Sequence, residues 1–198
     1  MLFVSDVHGA AAPMRRLVAL GEEVVVLGDL VNLTDYRNGE GAVSDVLGRE
    51  FALMAAEARA RSDYDGMRAM WQSAVGDRVD QVRHEIGEVI RRQYDEMAEA
   101  MTGGQGLVIH GNVDRPSILQ EVLPAGFSYV HGDVVVRDGR RFGFVGGGVP
   151  TALLAEGEIS DEQMRGLLEK LGPVDILCTH VPPDVASLRK DVITGREE

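Results

Sequence analysis

The chain has 198 residues, of which 44% are hydrophobic, enough for one substantial core and a composition that favours a single domain. The formal net charge of -12 disfavours a nucleic-acid backbone or an anionic membrane as the main partner, because both would be repelled over most of the surface. The lone Cys178 has no disulfide partner in the sequence, and no apolar run approaches the roughly 20 residues of a membrane span. With no leader-like start, these features predict a cytoplasmic protein.

The chain begins with a short apolar run, Met1 to Val4, that ends in Asp6 and His8. Such a run predicts a buried strand that delivers polar side chains into the loop at its carboxyl end. Because Asp6 and His8 are two residues apart, they point the same way if the strand geometry persists, as two ligands of one ion must.

The same construction recurs three times along the chain, after a short helix predicted over residues 11–20. Each later apolar run is followed by Asp, Asn or His: residues 23–27 before Asp29, residues 107–110 before Asn112, and residues 174–179 before His180. Strands that alternate with helices predict an α/β fold, in which polar residues at the carboxyl ends of strands gather at one crevice. The candidate metal ligands expected to meet there are Asp6, His8, Asp29, Asn112 and His180.

Between Asn112 and His180 the pattern indicates an antiparallel part of the sheet. Residues 128–136 and 141–145 are predicted as two strands joined by a turn at Asp138-Gly139. Residues 160–171 are predicted as a helix, opened by a capping box of Ser160 with Gln163.

The candidate ligands are carboxylate, imidazole and amide groups, which suit Mn²⁺, Fe, Zn²⁺ or Mg²⁺, and the absence of thiolates disfavours a structural zinc site. A hydrolase with two ions about 3.5 to 4 Å apart needs one carboxylate that bridges them. Asp29 is the natural candidate for this bridge.

Four motifs then carry a family resemblance: D-V-H at 6–8, G-D at 28–29, G-N-V-D at 111–114 and T-H-V-P-P at 179–183. Over nearly its whole length except residues 43–102, the chain resembles the calcineurin-like metallophosphoesterases, in particular the small Icc-related phosphoesterases. The resemblance implies a four-layer α/β/β/α sandwich and two divalent ions, Mn²⁺ in the first place, with Fe, Zn²⁺, Ni²⁺ or Mg²⁺ as alternatives. It also implies an attack on phosphorus by a hydroxide between the ions. The residues it implicates are Asp6, His8 and Asn112 as ligands, Asp29 as the bridge and His180 on the second ion.

Two departures from the family pattern concern proton transfer and ligand number. Val113 stands where many members have a histidine that can protonate the leaving group, and no histidine follows His180 to complete the final G-H-x-H motif. The second departure predicts a chain that is incomplete at its C-terminus. Asp114 is a catalytic candidate from the motif. His110 is either a substitute proton donor, a residue that contacts a metal ligand, or a structural histidine.

These observations predict a metal-dependent phosphoesterase, more specifically a phosphodiesterase, that acts on a small phosphate ester. A catalytically silent scaffold on the same fold would also explain Val113 and the missing histidine. A metal- or nucleotide-binding sensor is the third possibility.

Residues 43–102 lie outside the resemblance and are predicted to form a helical insertion. Two shorter helices are expected over 46–60 and 64–74, followed by a long one with a sustained apolar stripe. The stripe consists of Val79, Val82, Ile86, Ile90, Tyr94, Met97 and Met101. The insertion packs on itself or on the sandwich, or else it serves as a lid or as the interface of a homodimer.

Overall fold

The computed structural model describes residues 1–61, 63–150 and 155–185, and shows an α/β protein with one parallel and one mixed sheet. The strands are β1 (Leu2–Val4), β2 (Val24–Leu27), β3 (Gly106–Ile109), β4 (Phe127–Tyr129), β5 (Asp133–Arg137), β6 (Arg140–Val145) and β7 (Ile176–Thr179). The helices are α1 (Ala11–Val18), α2 (Ala42–Leu47), α3 (Arg49–Ala60), α4 (Tyr64–Val75), α5 (Val79–Met101), α6 (Pro116–Val122) and α7 (Asp161–Leu171), with a 3-10 turn at Gly76–Arg78.

The first sheet has the order β1-β2-β3-β4, and all its strands are parallel. Its central strands β2 and β3 are apolar along almost their whole length, as expected for parallel strands that are covered on both faces. Because the strands are parallel, the loops that follow β1, β2 and β3 leave the same edge of the sheet. This edge carries the first four predicted ligands.

The second sheet has the order β5-β6-β7, with β5 antiparallel and β7 parallel to β6. The predicted turn at Asp138-Gly139 joins β5 to β6, but the prediction of one strand over 128–136 is wrong. That segment is divided between β4 of the first sheet and β5 of the second. The chain changes sheets at Gly132, whose φ of +75° is readily available only to glycine, and whose N–H donates to the carbonyl of Phe144.

The two sheets share one apolar core. This inter-sheet core consists of Val25, Leu107, Ile109, Val130, Phe142, Phe144 and Cys178. The alternate residues Val24, Val26 and Val108 point to the other face of the first sheet and are also fully buried. Both faces of this sheet are therefore covered.

The described residues form two compact units, 1–31 with 93–182 and 32–92 with 183–185. All seven strands belong to the first unit, whereas α2, α3, α4 and the beginning of α5 belong to the second.

The helical segments predicted over 46–60 and 64–74 and the long helix after them are confirmed, with boundaries a few residues different. The single domain with its insertion and the incomplete C-terminus stay predictions, and residues 186–198 lie outside the described ranges.

The apolar stripe of α5 is buried within the single chain, from Val82 to Met101, and only Val79 at its start is exposed. A second copy of the chain is therefore not needed to cover the stripe. The homodimer itself stays a prediction.

The helix α7 has the predicted capping box, in which Ser160 and Gln163 exchange hydrogen bonds with each other's backbone. The helix α6 was not predicted, although Pro116 at its first turn is a typical helix start. None of the helices in the described ranges combines the length and the apolarity needed to cross a bilayer.

Candidate metal centre

The loops after β2 and β3 touch because each has a glycine at the point of contact. Gly28 has a φ of +98°, and a side chain there would collide with the backbone of Gly111. A side chain on Gly111 would in turn collide with the carboxylate of Asp29. The glycines of the G-D and G-N motifs thus let the two loops bring Asp29 and Asn112 together.

The loop after β1 is tied to the loop after β2 by backbone hydrogen bonds. The Asp6 N–H donates to the carbonyl of Gly28 at 3.1 Å, and the His8 N–H donates to the carbonyl of Asp29 at 2.8 Å. These bonds fix Asp6 and His8 relative to Asp29.

Three predicted ligands have left-handed backbones, with φ of 53° at Asp6, 43° at His8 and 55° at Asp29. In the described part of the chain only one other non-glycine residue, Asp138 in a turn, has a positive φ. The expectation that Asp6 and His8 continue the geometry of β1 is therefore wrong, since the strand ends at Val4. Left-handed non-glycine residues carry strain, and they concentrate at functional sites where surrounding contacts hold them.

Asp6, His8 and Asp29 nevertheless converge. The Nε2 atom of His8 lies 3.7 Å from Oδ1 of Asp6 and 3.8 Å from Oδ2 of Asp29. One ligand atom from each residue lies within 4.8 Å of the others, so the group could hold a metal ion. Two carboxylates and one imidazole form a donor set suited to Mn²⁺, Fe or Zn²⁺.

A second set of donors also meets the carboxylate of Asp29. The Nε2 atom of His180 lies 3.6 Å from the same Oδ2 of Asp29 and 3.2 Å from Oδ1 of Asn112. The five predicted ligands are therefore all brought together, with one oxygen of Asp29 facing both imidazoles.

Both imidazoles are oriented by backbone carbonyls. Nδ1 of His8 lies 3.3 Å from the carbonyl oxygen of Val31, and Nδ1 of His180 lies 2.8 Å from that of Leu27. A carbonyl can only accept, so each Nδ1 carries the proton, and a neutral ring then presents the lone pair of Nε2. A cation would stabilise the lone pairs of His180, Asn112 and Asp29, which converge here. The hydrogen bond from Nδ1 to a backbone carbonyl is also the usual support of a metal-binding histidine.

The charges around Asp6 and His8 favour binding of a positive group. Interaction with His8 lowers the pKa of Asp6 to about 2, although burial acts in the opposite direction. Interaction with Asp6 raises the pKa of His8. Burial raises the pKa of Asp29, and the nearby His180 partly opposes this effect. The carboxylates thus draw a proton onto His8, and a divalent cation would compete for the same place.

Asp114 is hydrogen-bonded to the backbone of the loops that carry the predicted ligands. It is 1% exposed, and its carboxylate accepts hydrogen bonds from the backbone N–H groups of Asp29, Leu30 and Gly111 at 2.7 to 2.9 Å. A fourth bond comes from the hydroxyl of Tyr94, which the sequence presented only as a member of the apolar stripe. This geometry gives Asp114 a positioning role, because contact with a substrate would require it to break these bonds.

His110 is also buried, and its Nδ1 lies 2.7 Å from the hydroxyl of Tyr129. Its ring centre lies 4.8 Å from that of His131. Burial, followed by the proximity of His131 and His180, lowers the pKa of His110 to about 4. A histidine that is neutral near pH 7 is a weak proton donor, so this environment suits the structural alternative, and its catalytic role stays a prediction.

Val113 contributes to the site through its backbone. Its N–H donates to Oδ1 of Asp29 at 3.1 Å, which leaves the other oxygen, Oδ2, to face His8 and His180. Its side chain can neither donate nor accept a proton.

No protein-family model matches this chain, and no curated protein or solved structure matches it either. The family resemblance read from the motifs therefore stays a prediction.

Proposed function

We propose that this chain is a metal-dependent phosphoesterase of the calcineurin-like type, and that it hydrolyses a phosphodiester of small size. The observation that carries the proposal is the position of Asp29, whose Oδ2 faces the Nε2 atoms of His8 and His180 at 3.8 and 3.6 Å. Two carbonyl-held imidazoles that face one oxygen of a buried carboxylate suit a pair of ions bridged by that carboxylate.

In this proposal one ion is held by Asp6, His8 and Asp29, and the second by Asp29, Asn112 and His180. The mixture of carboxylate, imidazole and amide oxygen favours Mn²⁺, with Fe, Zn²⁺, Ni²⁺ or Mg²⁺ as alternatives. When bound, such ions lower the pKa of water so that it attacks phosphorus near neutral pH, and they neutralise charge on the phosphate.

Side-chain exposure indicates where the substrate would arrive. The side chains of Asp6 and His8 are 62% and 43% exposed, whereas those of Asp29 and His180 are 5% and 9% exposed. The bridging carboxylate is thus shielded from water while the Asp6 side of the site is open. A phosphate group would approach from this open side.

A phosphodiester with a stable leaving group suits the site best. Val113 cannot protonate a leaving oxygen, and the buried His110 is neutral near pH 7. A leaving group that departs readily as an anion needs no such proton. The acidic chain offers no general attraction for a polyanion, so we propose a small ester as the substrate.

We also propose that the first unit is a four-layer α/β/β/α sandwich. Its two sheets share the inter-sheet core, and the outer face of the first sheet is buried as well. Met14 of α1, Met97 of α5 and Leu119 of α6 are buried apolar residues suited to cover that outer face. On the second sheet, a side chain at Gly143 of β6 would meet Leu171 of α7 at 2.9 Å, which supports a helical layer there.

Hydrolysis of bis-p-nitrophenyl phosphate with added Mn²⁺ tests the proposal, with Asp29→Asn as the key variant. Asn fits the left-handed backbone and can still accept from Val113, but it removes the charge that both ions would share. Asp138→Asn is the matched control, because Asp138 is also acidic and left-handed but lies in the exposed turn between β5 and β6. We expect Asp29→Asn alone to lose at least 100-fold in kcat/KM. Equal activity of both variants, or activity that survives chelation, would contradict the proposal.

A catalytically silent scaffold on the same fold is the second candidate, favoured by Val113. Each proposed ion has three protein donors, and no side chain at position 113 could assist the chemistry. If the chain is such a scaffold, it will bind Mn²⁺ but hydrolyse none of a panel of activated mono- and diesters.

A further inference from the structure

We infer that Tyr94 is a positioning residue of the metal centre, which acts through Asp114 on the left-handed backbone of Asp29. The inference rests on the proposed metal-binding function. Tyr94 lies on α5, which contributes no predicted ligand, and the sequence presented it only as one member of the apolar stripe.

The hydroxyl of Tyr94 both donates and accepts a hydrogen bond. It donates to Oδ1 of Asp114 at 3.0 Å and accepts from the backbone N–H of Arg115 at 2.7 Å. Tyr94 is 0% exposed, so water cannot replace either bond. Burial, together with the nearby Asp114 carboxylate, raises the pKa of Tyr94, which keeps the hydroxyl protonated and therefore a donor. One side chain thus holds both the carboxylate of residue 114 and the backbone that follows it.

Asp114 is in turn hydrogen-bonded to the two loops that carry the proposed ligands. Its Oδ2 accepts from the N–H groups of Asp29 at 2.7 Å and Gly111 at 2.8 Å, while Oδ1 accepts from Leu30 at 2.9 Å. The loop after β2 and the loop after β3 are therefore clamped to one carboxylate. A rotation of that carboxylate would change the distance between Asp29 and Asn112.

The bonds to Asp29 and Leu30 also reach the first loop. The carbonyl of Asp29 accepts from His8 N–H, and the carbonyl of Leu30 accepts from Gly9 N–H, both at 2.8 Å. The peptide group between Asp29 and Leu30 thus donates its N–H to Asp114 and accepts from His8 through its carbonyl. Since Asp29 and His8 both have strained left-handed backbones, external contacts must maintain them, and Tyr94 fixes the carboxylate that provides those contacts.

Tyr94→Phe isolates this role because the ring stays in place and only the hydroxyl is lost. Groups behind metal ligands typically contribute 10- to 100-fold in affinity, and we expect the dissociation constant for Mn²⁺ to rise about tenfold in Tyr94→Phe. The electron paramagnetic resonance spectrum of bound Mn²⁺ should also change, since the distance between the two loops sets the coupling between the ions.

Two control variants separate positioning from general stability. Tyr64→Phe removes a hydroxyl from an exposed tyrosine, and Met97→Ala destabilises the same helix at a buried position without a hydrogen bond to the site. Both should bind Mn²⁺ within about twofold of the wild type, Met97→Ala despite a lower Tm. Tyr94→4-aminophenylalanine keeps an N–H donor toward Asp114 and should restore most of the affinity and the wild-type spectrum.

An affinity and spectrum of Tyr94→Phe equal to the wild type would overturn this inference while leaving the metal centre intact. So would a loss of affinity in Met97→Ala as large as that in Tyr94→Phe, because the effect would then follow stability alone. Should Tyr94→Phe fail to fold, a 4-aminophenylalanine variant that folds but binds tenfold more weakly would overturn the inference too. If the wild-type chain binds no Mn²⁺, the proposed function fails, and this inference fails with it.

Discussion

Replacing Asp114 by asparagine should destabilise the metal-free protein strongly. Each carboxylate oxygen accepts two hydrogen bonds, Oδ2 from Asp29 and Gly111, and Oδ1 from Leu30 and Tyr94. The amide of asparagine has only one acceptor oxygen, so in either orientation its NH₂ group faces two donors. Hydrogen bonds to a charged group contribute about 1.5 to 3 kcal/mol each, so the loss of two should cost roughly 3 kcal/mol or more.

For a chain of this length, a loss of about 3 kcal/mol corresponds to a fall in Tm of roughly 6 to 12 °C. Thermal unfolding followed by circular dichroism, in the presence of a chelator, measures the fall without any contribution from bound metal. Asp138→Asn makes the same chemical change in an exposed turn and should leave the Tm within about 2 °C of the wild type. An Asp114→Asn variant that melts together with the Asp138→Asn control would refute the positioning role of Asp114.

Three further predictions concern the ligands themselves. Gly111→Ala should abolish Mn²⁺ binding in a folded protein, because the added methyl group collides with the carboxylate of Asp29; retained affinity would show that the loops separate easily. Asn112→Ala and His180→Ala should weaken Mn²⁺ binding non-additively in a titration of the double mutant, whereas additive losses would place them at separate sites. Because Asp6 raises the pKa of His8, Mn²⁺ affinity should increase by about tenfold per pH unit below that pKa and level off above it, and an affinity independent of pH would contradict the role of His8.

The positions of most candidate ligands could be predicted from sequence because the pattern follows from the geometry of parallel strands. An apolar run that ends in Asp, Asn or His delivers that residue to the carboxyl edge of the sheet, and strands in one parallel sheet share that edge. Asp29 and Asn112 were placed in this way, whereas His180 meets them although it follows β7 of the second sheet. For Asp6 and His8 the placement was correct but the reason was wrong, since left-handed backbones and not a continued strand bring them together.

The exchange of sheets between β4 and β5 could not be predicted from local preference. Tyr129, Val130 and Val134 to Val136 favour strands, and the break between them falls at Gly132, which has a positive φ. A glycine within an apparent strand is also compatible with a bulge, so only the pairing with other strands decides between the two.

The role of Tyr94 was hidden by its helical spacing. Its position in an apolar stripe predicts burial, which is correct, but the partner of its hydroxyl lies 20 residues further along the chain. Similarly, the motif gave no indication that Asp114 accepts bonds from residues 84 and 85 positions away. Long-range hydrogen bonds of this kind depend on the tertiary arrangement of loops and leave no local pattern.

Counting the Mn²⁺ ions bound per chain is the sharpest test of a metal centre bridged by Asp29. Isothermal titration of the wild type should give two ions, because Oδ2 of Asp29 faces one imidazole from each of the two proposed sets of donors. Asp29→Asn should lose both ions together, while Asp138→Asn keeps them. A wild-type chain that binds no Mn²⁺, or an Asp29→Asn variant that still binds two ions with unchanged affinity, would contradict a centre bridged by Asp29.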